Sequence, residues 1–382
     1  MKNLNFNKIP LSLYIHIPWC VKKCPYCDFN SHAANHIPEE SYIERLASDL
    51  EQDFPLAQGR SIKSIFLGGG TPSLFSPQGI EKILNQVARK LPLVSEIEIT
   101  MEANPGTLER KAFSDYRLAG INRVSLGAQS FQNDKLEQLG RIHKAEETKR
   151  AIELLLTANF KSFNIDLMYG LPNQTLNDAL FDLETALSFD PPHLSWYNLT
   201  IEPNTIFYHK KPPLPCEDTI FDMQTAGLEL LASKNLIQYE ISAFAKDQHQ
   251  CQHNRNYWEF GDYLGIGAGA HAKITDLEKN IVTRYWKTRM PNSYLTAHHP
   301  LLAGTQVVVK EDLPLEFLLN SLRLTDGISF AHFEQRTGLS INAIQSQLDK
   351  AVLQELLTIQ EQKMIPTELG KRYLNDLLLF FT

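Results

Sequence analysis

Between Leu11 and about residue 234, short apolar runs alternate with helical-period segments six times, and most runs end in glycine, a carboxylate or an amide. Leu11 to Ile17 reads as the first strand, and Tyr42, Ile43, Leu46 and Leu50 place an amphipathic helix over 39–54. Ile62 to Leu67 is the next strand, and Ser76-Pro77 supplies N-cap and first residue of the helix after it. Glu96 to Met101 follows, with Thr107 as the expected cap of its helix. Then come Arg123 to Leu126 with a helix at 145–158, Phe163 to Met168 with a helix at 175–188, and Leu194 to Ile201 with a helix at 217–234. Tandem units of this kind predict parallel strands joined by right-handed crossovers. The loops after the strands then converge on one face, so the polar strand ends mark the ligand side. Six units predict an α/β fold, an incomplete (β/α)6 barrel; periodicity alone leaves a doubly wound open sheet as the alternative.

The first such loop carries Cys20-Val21-Lys22-Lys23-Cys24-Pro25-Tyr26-Cys27. Thiolates are soft ligands that select zinc, Cu(I) or iron–sulfur clusters. A structural zinc site takes four closed ligands, and Cys216 and Cys251 lie far downstream. A cubane cluster also normally takes four cysteines, so three leave one iron with an open position. The residues alone leave two other readings open: buried free cysteines, or a zinc loop that borrows His16 or His32. A disulfide framework does not suit five cysteines in 382 residues.

The CxxxCxxC triplet, with Tyr26 directly before its last cysteine, resembles the signature of the radical S-adenosylmethionine superfamily. The resemblance implies that Cys20, Cys24 and Cys27 hold a [4Fe-4S] cluster, and that S-adenosylmethionine chelates the fourth iron. Gly68-Gly69-Gly70-Thr71-Pro72 resembles the family segment that contacts the amino group of S-adenosylmethionine, which implies cofactor contacts at Gly69, Gly70 and Thr71. Glu102, Gln129, Arg141 and Asp166, within MEANPG, LGAQSF, GRIH and DLMYGLP, match cofactor-contacting positions of the coproporphyrinogen-dehydrogenase branch, as do Tyr14 and Tyr26. Their chemistry fits: a carboxylate suits a ribose diol or a sulfonium, and Arg141 suits a carboxylate in bidentate fashion.

His253-Asn254-Arg255-Asn256-Tyr257-Trp258 resembles the HNxxYW motif of the haem chaperones in that branch, which implies His253 as a haem ligand, with Cys251 as a rival. Coproporphyrinogen dehydrogenases carry a long segment ahead of the cluster motif and a fourth cysteine two residues after the third, where this chain has Phe29. The resemblance therefore implies a haem chaperone that delivers haem to recipient haemoproteins. The alternative is an oxygen-independent coproporphyrinogen III dehydrogenase. A homodimer, and peripheral membrane contact through recipients, are further expectations.

Leu264-Gly265-Ile266-Gly267-Ala268-Gly269-Ala270-His271 looks like a dinucleotide fingerprint, but lacks a clear strand before it and an acidic partner, and is read as a close-packed loop. Beyond residue 300 the pattern becomes helical at 313–323, 329–337 and 340–355, with a strand pair near Leu357 to Ile365. That order predicts a small C-terminal, mainly helical (winged-helix-like) domain. The expected organisation is therefore a partial barrel over 1–240, a connecting segment over 241–300 and a C-terminal domain over 301–382. A net charge of −7 and the acids Glu334, Asp349, Glu355, Glu361 and Glu368 argue against nucleic acid as a partner. There is no signal-peptide pattern and no apolar run of about 20 residues, so the expected location is the cytoplasm.

Overall fold

The computed structural model describes residues 9–108, 113–160, 162–296 and 301–382. Six parallel strands lie side by side in chain order: β1 (Leu11–Ile17), β2 (Ile62–Gly69), β3 (Leu93–Ala103), β4 (Arg123–Gln129), β5 (Ser162–Tyr169) and β6 (His193–Asn198). Consecutive neighbours with no reversal mean a singly wound sheet, which settles the alternative that periodicity left open. The principal crossover helices are α1 (Glu39–Asp53), α2 (Pro77–Lys90), α3 (Ala145–Thr157), α4 (Leu176–Leu187) and α5 (Glu217–Ser233). Their ends follow the expected chemistry: Ser76 Oγ accepts from Gly79 N at 2.9 Å, and Thr175 and Asp178 form a reciprocal capping box. Thr107, the expected cap, lies within a short helix, Pro105–Leu108.

The sheet continues past both ends of this core. β6 pairs antiparallel with β8 (Ala243–Ala245), which pairs with β7 (Ile237–Glu240). On the other side β1 pairs in parallel with β9 (Asp262–Ile266), followed by the antiparallel β10 (His271–Asp276), β11 (Ile281–Lys287) and β12 (Leu302–Val307). The order is β12-β11-β10-β9-β1-β2-β3-β4-β5-β6-β8-β7, and the two outer strands are not bonded to each other, so the sheet is mixed and open. The stretch Leu264 to His271, expected as a loop, instead holds the end of β9 and the start of β10. Gly265 permits the tight return, because a Cβ there would sit 2.0 Å from the His271 carbonyl oxygen.

Strand parity separates two faces. Val124, Leu126 and Ala128 of β4 are fully buried in the core against the helices. The alternate residues, Arg123, Ser125 and Gly127, line cavities on the opposite face. The C-terminal unit has its own core around Phe317, Phe333 and Leu348. It comprises α7 (Leu313–Ser321), α8 (Phe330–Thr337) and α9 (Gln345–Leu353), with a sheet in the order β13 (Ile328–Ser329), β15 (Lys363–Pro366), β14 (Leu357–Gln360). An isolated bridge from Leu324 to Glu240 joins it to the β7 edge. Among the described residues no helix is long and apolar enough to cross a membrane.

Candidate functional site

The cysteine loop is closed before any ligand is considered. Trp19 and Cys20 pair in parallel with His32 and Ala33, and Cys27 N donates to Cys24 O at 3.2 Å. Gly70 N donates to Ile17 O and Thr71 N to Trp19 O, each at 2.8 Å, so the glycine segment is tied to the cysteine loop. The glycines are needed partly for this. A Cβ on Gly70 would lie 2.5 Å from the Trp19 carbonyl oxygen, and one on Gly69, at φ +109°, would strike the His16 ring.

Cys20, Cys24, Cys27, Tyr26, Gly69, Gly70, Thr71, Glu102, Gln129, Arg141 and Asp166 all line one cavity of about 500 Å³. Each thiol has a polar neighbour. Thr71 Oγ1 donates to Cys20 Sγ at 3.4 Å, Ser31 Oγ lies 3.5 Å from Cys27 Sγ, and Arg141 Nη1 donates to Cys24 Sγ at 3.7 Å. Burial pushes the Cys20 and Cys27 thiols up, and the hydrogen bonds from Thr71 and Ser31 offset this only in part. A cationic metal centre reverses that preference. Among the described residues, no three His, Cys, Asp or Glu side chains converge on one point closely enough for a single metal ion. His16 and His32, the candidate fourth zinc ligands, are engaged with Tyr14 and with Asn30.

Opposite the thiols lie two carboxylates. Glu102 Oε2 accepts from Gly69 N at 3.1 Å, yet its pKa is raised to about 7, first by burial and then by the nearby Asp166 charge. Asp166 accepts from Ser125 Oγ at 3.0 Å and Asn164 Nδ2 at 2.7 Å, and burial still pushes it up. Two acids short of counter-charge in one cavity favour a cationic or hydroxyl-rich ligand. Gln129 holds a φ of 70°, a left-handed conformation outside glycine, and its Oε1 accepts from Tyr197 OH at 3.0 Å. Arg141 Nη2 donates to Gly127 O at 2.8 Å, while its buried Nε has no partner among the described residues.

Tyr14 and His253 are elsewhere. Both line a second chamber of about 260 Å³, which shares Glu102, Ser125, Asp166, Ser195 and Asn254 with the first cavity. Tyr14 OH bonds His16 Nδ1 at 3.0 Å. His253 is 1% exposed, its Nδ1 lies 3.0 Å from Ser64 Oγ, and its Nε2 lies 2.8 Å from Tyr257 OH. Burial lowers its pKa to about 3, so the ring is neutral. It belongs to α6 (Gln252–Trp258), whose N-terminus is capped by Glu98: the carboxylate accepts from Gln252 N and His253 N, each at 3.1 Å. Cys251 is fully buried, with its Sγ 3.6 Å from Glu98 Oε1.

Sequence reasoning missed Ser125, Ser195 and Tyr197, single polar residues on β4 and β6 that line the cavity and carry no local signal of their own. It also missed Glu240 and Arg323, which line the same cavity and pair at 2.9 Å, with the Arg323 guanidinium 4.4 Å from the Trp258 ring centre.

The class is shown by sequence: the radical SAM superfamily model matches residues 14–186, and the HemN C-terminal domain model matches residues 308–373. The solved coproporphyrinogen III oxidase HemN of Escherichia coli superposes with a TM-score of 0.83 at 22% identity, covering 98% of this chain and 90% of that one; at that identity the likeness speaks for the fold. The chain belongs to the HemW family within the radical S-adenosylmethionine superfamily. It is 50% identical over 373 residues to the heme chaperone HemW of Escherichia coli, covering 97% of this chain and 98% of the relative. It is likewise 50% identical over 377 residues to that of Haemophilus influenzae, with 97% and 98% covered. Membership in the superfamily implies a [4Fe-4S] cluster and S-adenosylmethionine.

Proposed function

We propose that this protein is a haem chaperone: it binds haem and passes it to haemoproteins, and it carries a [4Fe-4S] cluster and S-adenosylmethionine. The observation that carries this reading is half identity, over nearly the whole of both chains, to proteins named heme chaperone HemW. The likeness to HemN is one of fold and does not bring its reaction with it.

In this reading Cys20, Cys24 and Cys27 hold the cluster, whose open iron supplies a site for chelation and for electron transfer to a bound sulfonium. The remaining groups bind and orient. Gly69, Gly70 and Thr71 present a backbone edge beside the thiols. Glu102 and Asp166 supply negative charge or accept from hydroxyls, Gln129 offers an amide, and the unspent Nε of Arg141 suits a carboxylate. Tyr26 covers the cluster side of the cavity.

The haem ligand is where expectation and geometry diverge. His253 serves as an iron ligand only if it gives up Tyr257 or Ser64 and leaves its buried position.

The test is anaerobic reconstitution of the full chain, followed by haem titration, transfer to an apo-haemoprotein and a coproporphyrinogen decarboxylation assay in parallel. A saturable Soret-active complex that transfers haem, without decarboxylation, is the expected result. Decarboxylation without haem binding would reverse the assignment.

A further inference from the structure

We propose that haem sits outside the barrel, on a collar at the mouth of the cysteine-lined cavity, with His209 as its iron ligand. The proposal rests on the haem-carrying reading above and assigns the place. The collar is built from the cysteine loop and the segment 205–211. They are joined by Phe207 N donating to Pro25 O at 3.0 Å and by the Tyr26 and Phe207 rings, 6.4 Å apart.

This collar exposes large apolar side chains. Val21 is 49% exposed, Phe29 60%, Ile206 62% and Tyr208 48%. Four exposed apolar side chains on two joined segments offer what a flat apolar ligand needs, and what a surface in water otherwise avoids. The charge there runs against the chain's net −7: residues 21–29 and 205–211 carry Lys22, Lys23, Lys210 and Lys211 against the single acid Asp28. Haem is a planar apolar molecule with two carboxylates on one edge, and an apolar floor rimmed by cations complements both features. His209 is exposed, stands edge-on to Tyr208 at 5.6 Å, and among the described residues has no hydrogen-bond partner for either ring nitrogen. A neutral imidazole with a free nitrogen is the commonest haem ligand. His253 has both nitrogens committed and is buried.

The test uses the cluster-loaded full chain, titrated anaerobically with haem and followed by Soret absorption and ligand-sensitive electron paramagnetic resonance. His209→Ala should weaken binding at least about tenfold and change the axial-ligand signature, a cost of about 1.4 kcal/mol. External imidazole should restore that signature in His209→Gly. Lys210→Glu with Lys211→Glu should weaken binding further as salt is raised. Unchanged binding and signature in His209→Ala, with loss in His253→Ala, overturns the collar while leaving the chaperone reading intact. Absence of haem binding by the native chain overturns the chaperone reading itself, and the collar with it. If Lys210→Glu with Lys211→Glu abolishes binding to anionic phospholipid vesicles but leaves haem binding intact, the collar belongs to a membrane surface and the proposal fails.

Discussion

Both halves of the large sheet bury carboxylates, and they treat them in opposite ways. In the antiparallel half, Asp262 is fully buried and surrounded: Arg60 Nη1 and Lys273 Nζ each approach to 2.7 Å, and Thr275 donates from both N and Oγ1 at 2.9 Å. Lys287 sits 2.7 Å from both Asp49 and Asp53, one cation shared by two acids, and there burial still holds Asp53 up at about 6. In the parallel half, Glu102 and Asp166 line one cavity, and among the described residues neither has a lysine or arginine in salt-bridge range. The result is visible in their protonation. Burial pushes Asp262 up, but Lys273 and Arg60 outweigh it and hold the carboxyl below its usual range, whereas Glu102 rises to about 7. A buried acid that is fully paired holds strands together, and one left short of counter-charge waits for a ligand.

The largest test of this contrast is Asp262→Ala. It strands Arg60 and Lys273 without their partner and should cost about 3–5 kcal/mol, read as a lower urea midpoint. Glu102→Gln, the matching change in the parallel half, should leave that midpoint unchanged or raise it. A large loss there would erase the distinction.

Arg141→Met should weaken S-adenosylmethionine binding by about ten- to a hundredfold, the size of a lost charge-assisted bond. Isothermal titration of the reconstituted protein measures it, with the cluster absorption as control.

The pH dependence sharpens the comparison further. With Glu102 raised to about 7 in the folded chain, against 4.5 for an ordinary glutamate, the folded state holds a proton that the unfolded state has released between those values. Stability of the ligand-free protein should therefore fall as pH rises from about 5 to about 7. Binding of the cationic S-adenosylmethionine should tighten over the same range. Glu102→Gln should remove its own share of that slope and leave the shares of the other acids that burial raises, Asp53, Asp166, Asp182 and Glu240. Asp262 works in the other direction, and its contribution should disappear only in acid, as pH falls through its lowered pKa. The smallest effect is Ser76→Ala, which removes the α2 cap and should cost about 1 kcal/mol in thermal unfolding without touching ligand affinity.

The parallel half was readable from sequence because its strands are apolar runs that stop at polar residues, and because each is followed by a helix with clear periodicity. The antiparallel half was not. The strands β10 and β11 bury Lys273, Thr275, Tyr285 and Lys287, whose partners lie on distant segments such as α1 and β9. A strand that buries lysines does not look apolar, and nothing local announces the acids that make it possible. At the site, the cysteines and glycines stood out by spacing. Ser125 and Ser195 did not, since a lone serine in a strand carries no signal until register places it beside Asp166. Arg323 reaches the cavity from beyond α7, a contact that only the folded chain creates.

The two bonds that tie Gly70 and Thr71 to Ile17 and Trp19 carry one more implication. They couple the thiol-bearing hook to the neighbouring hairpin-like rim through main-chain atoms alone, independent of any side chain. A metal held there, once lost, should therefore leave the outline of this segment standing. Protease nicking of the depleted form should then begin around Val21 to Lys23, with Gly68 to Pro72 shielded throughout.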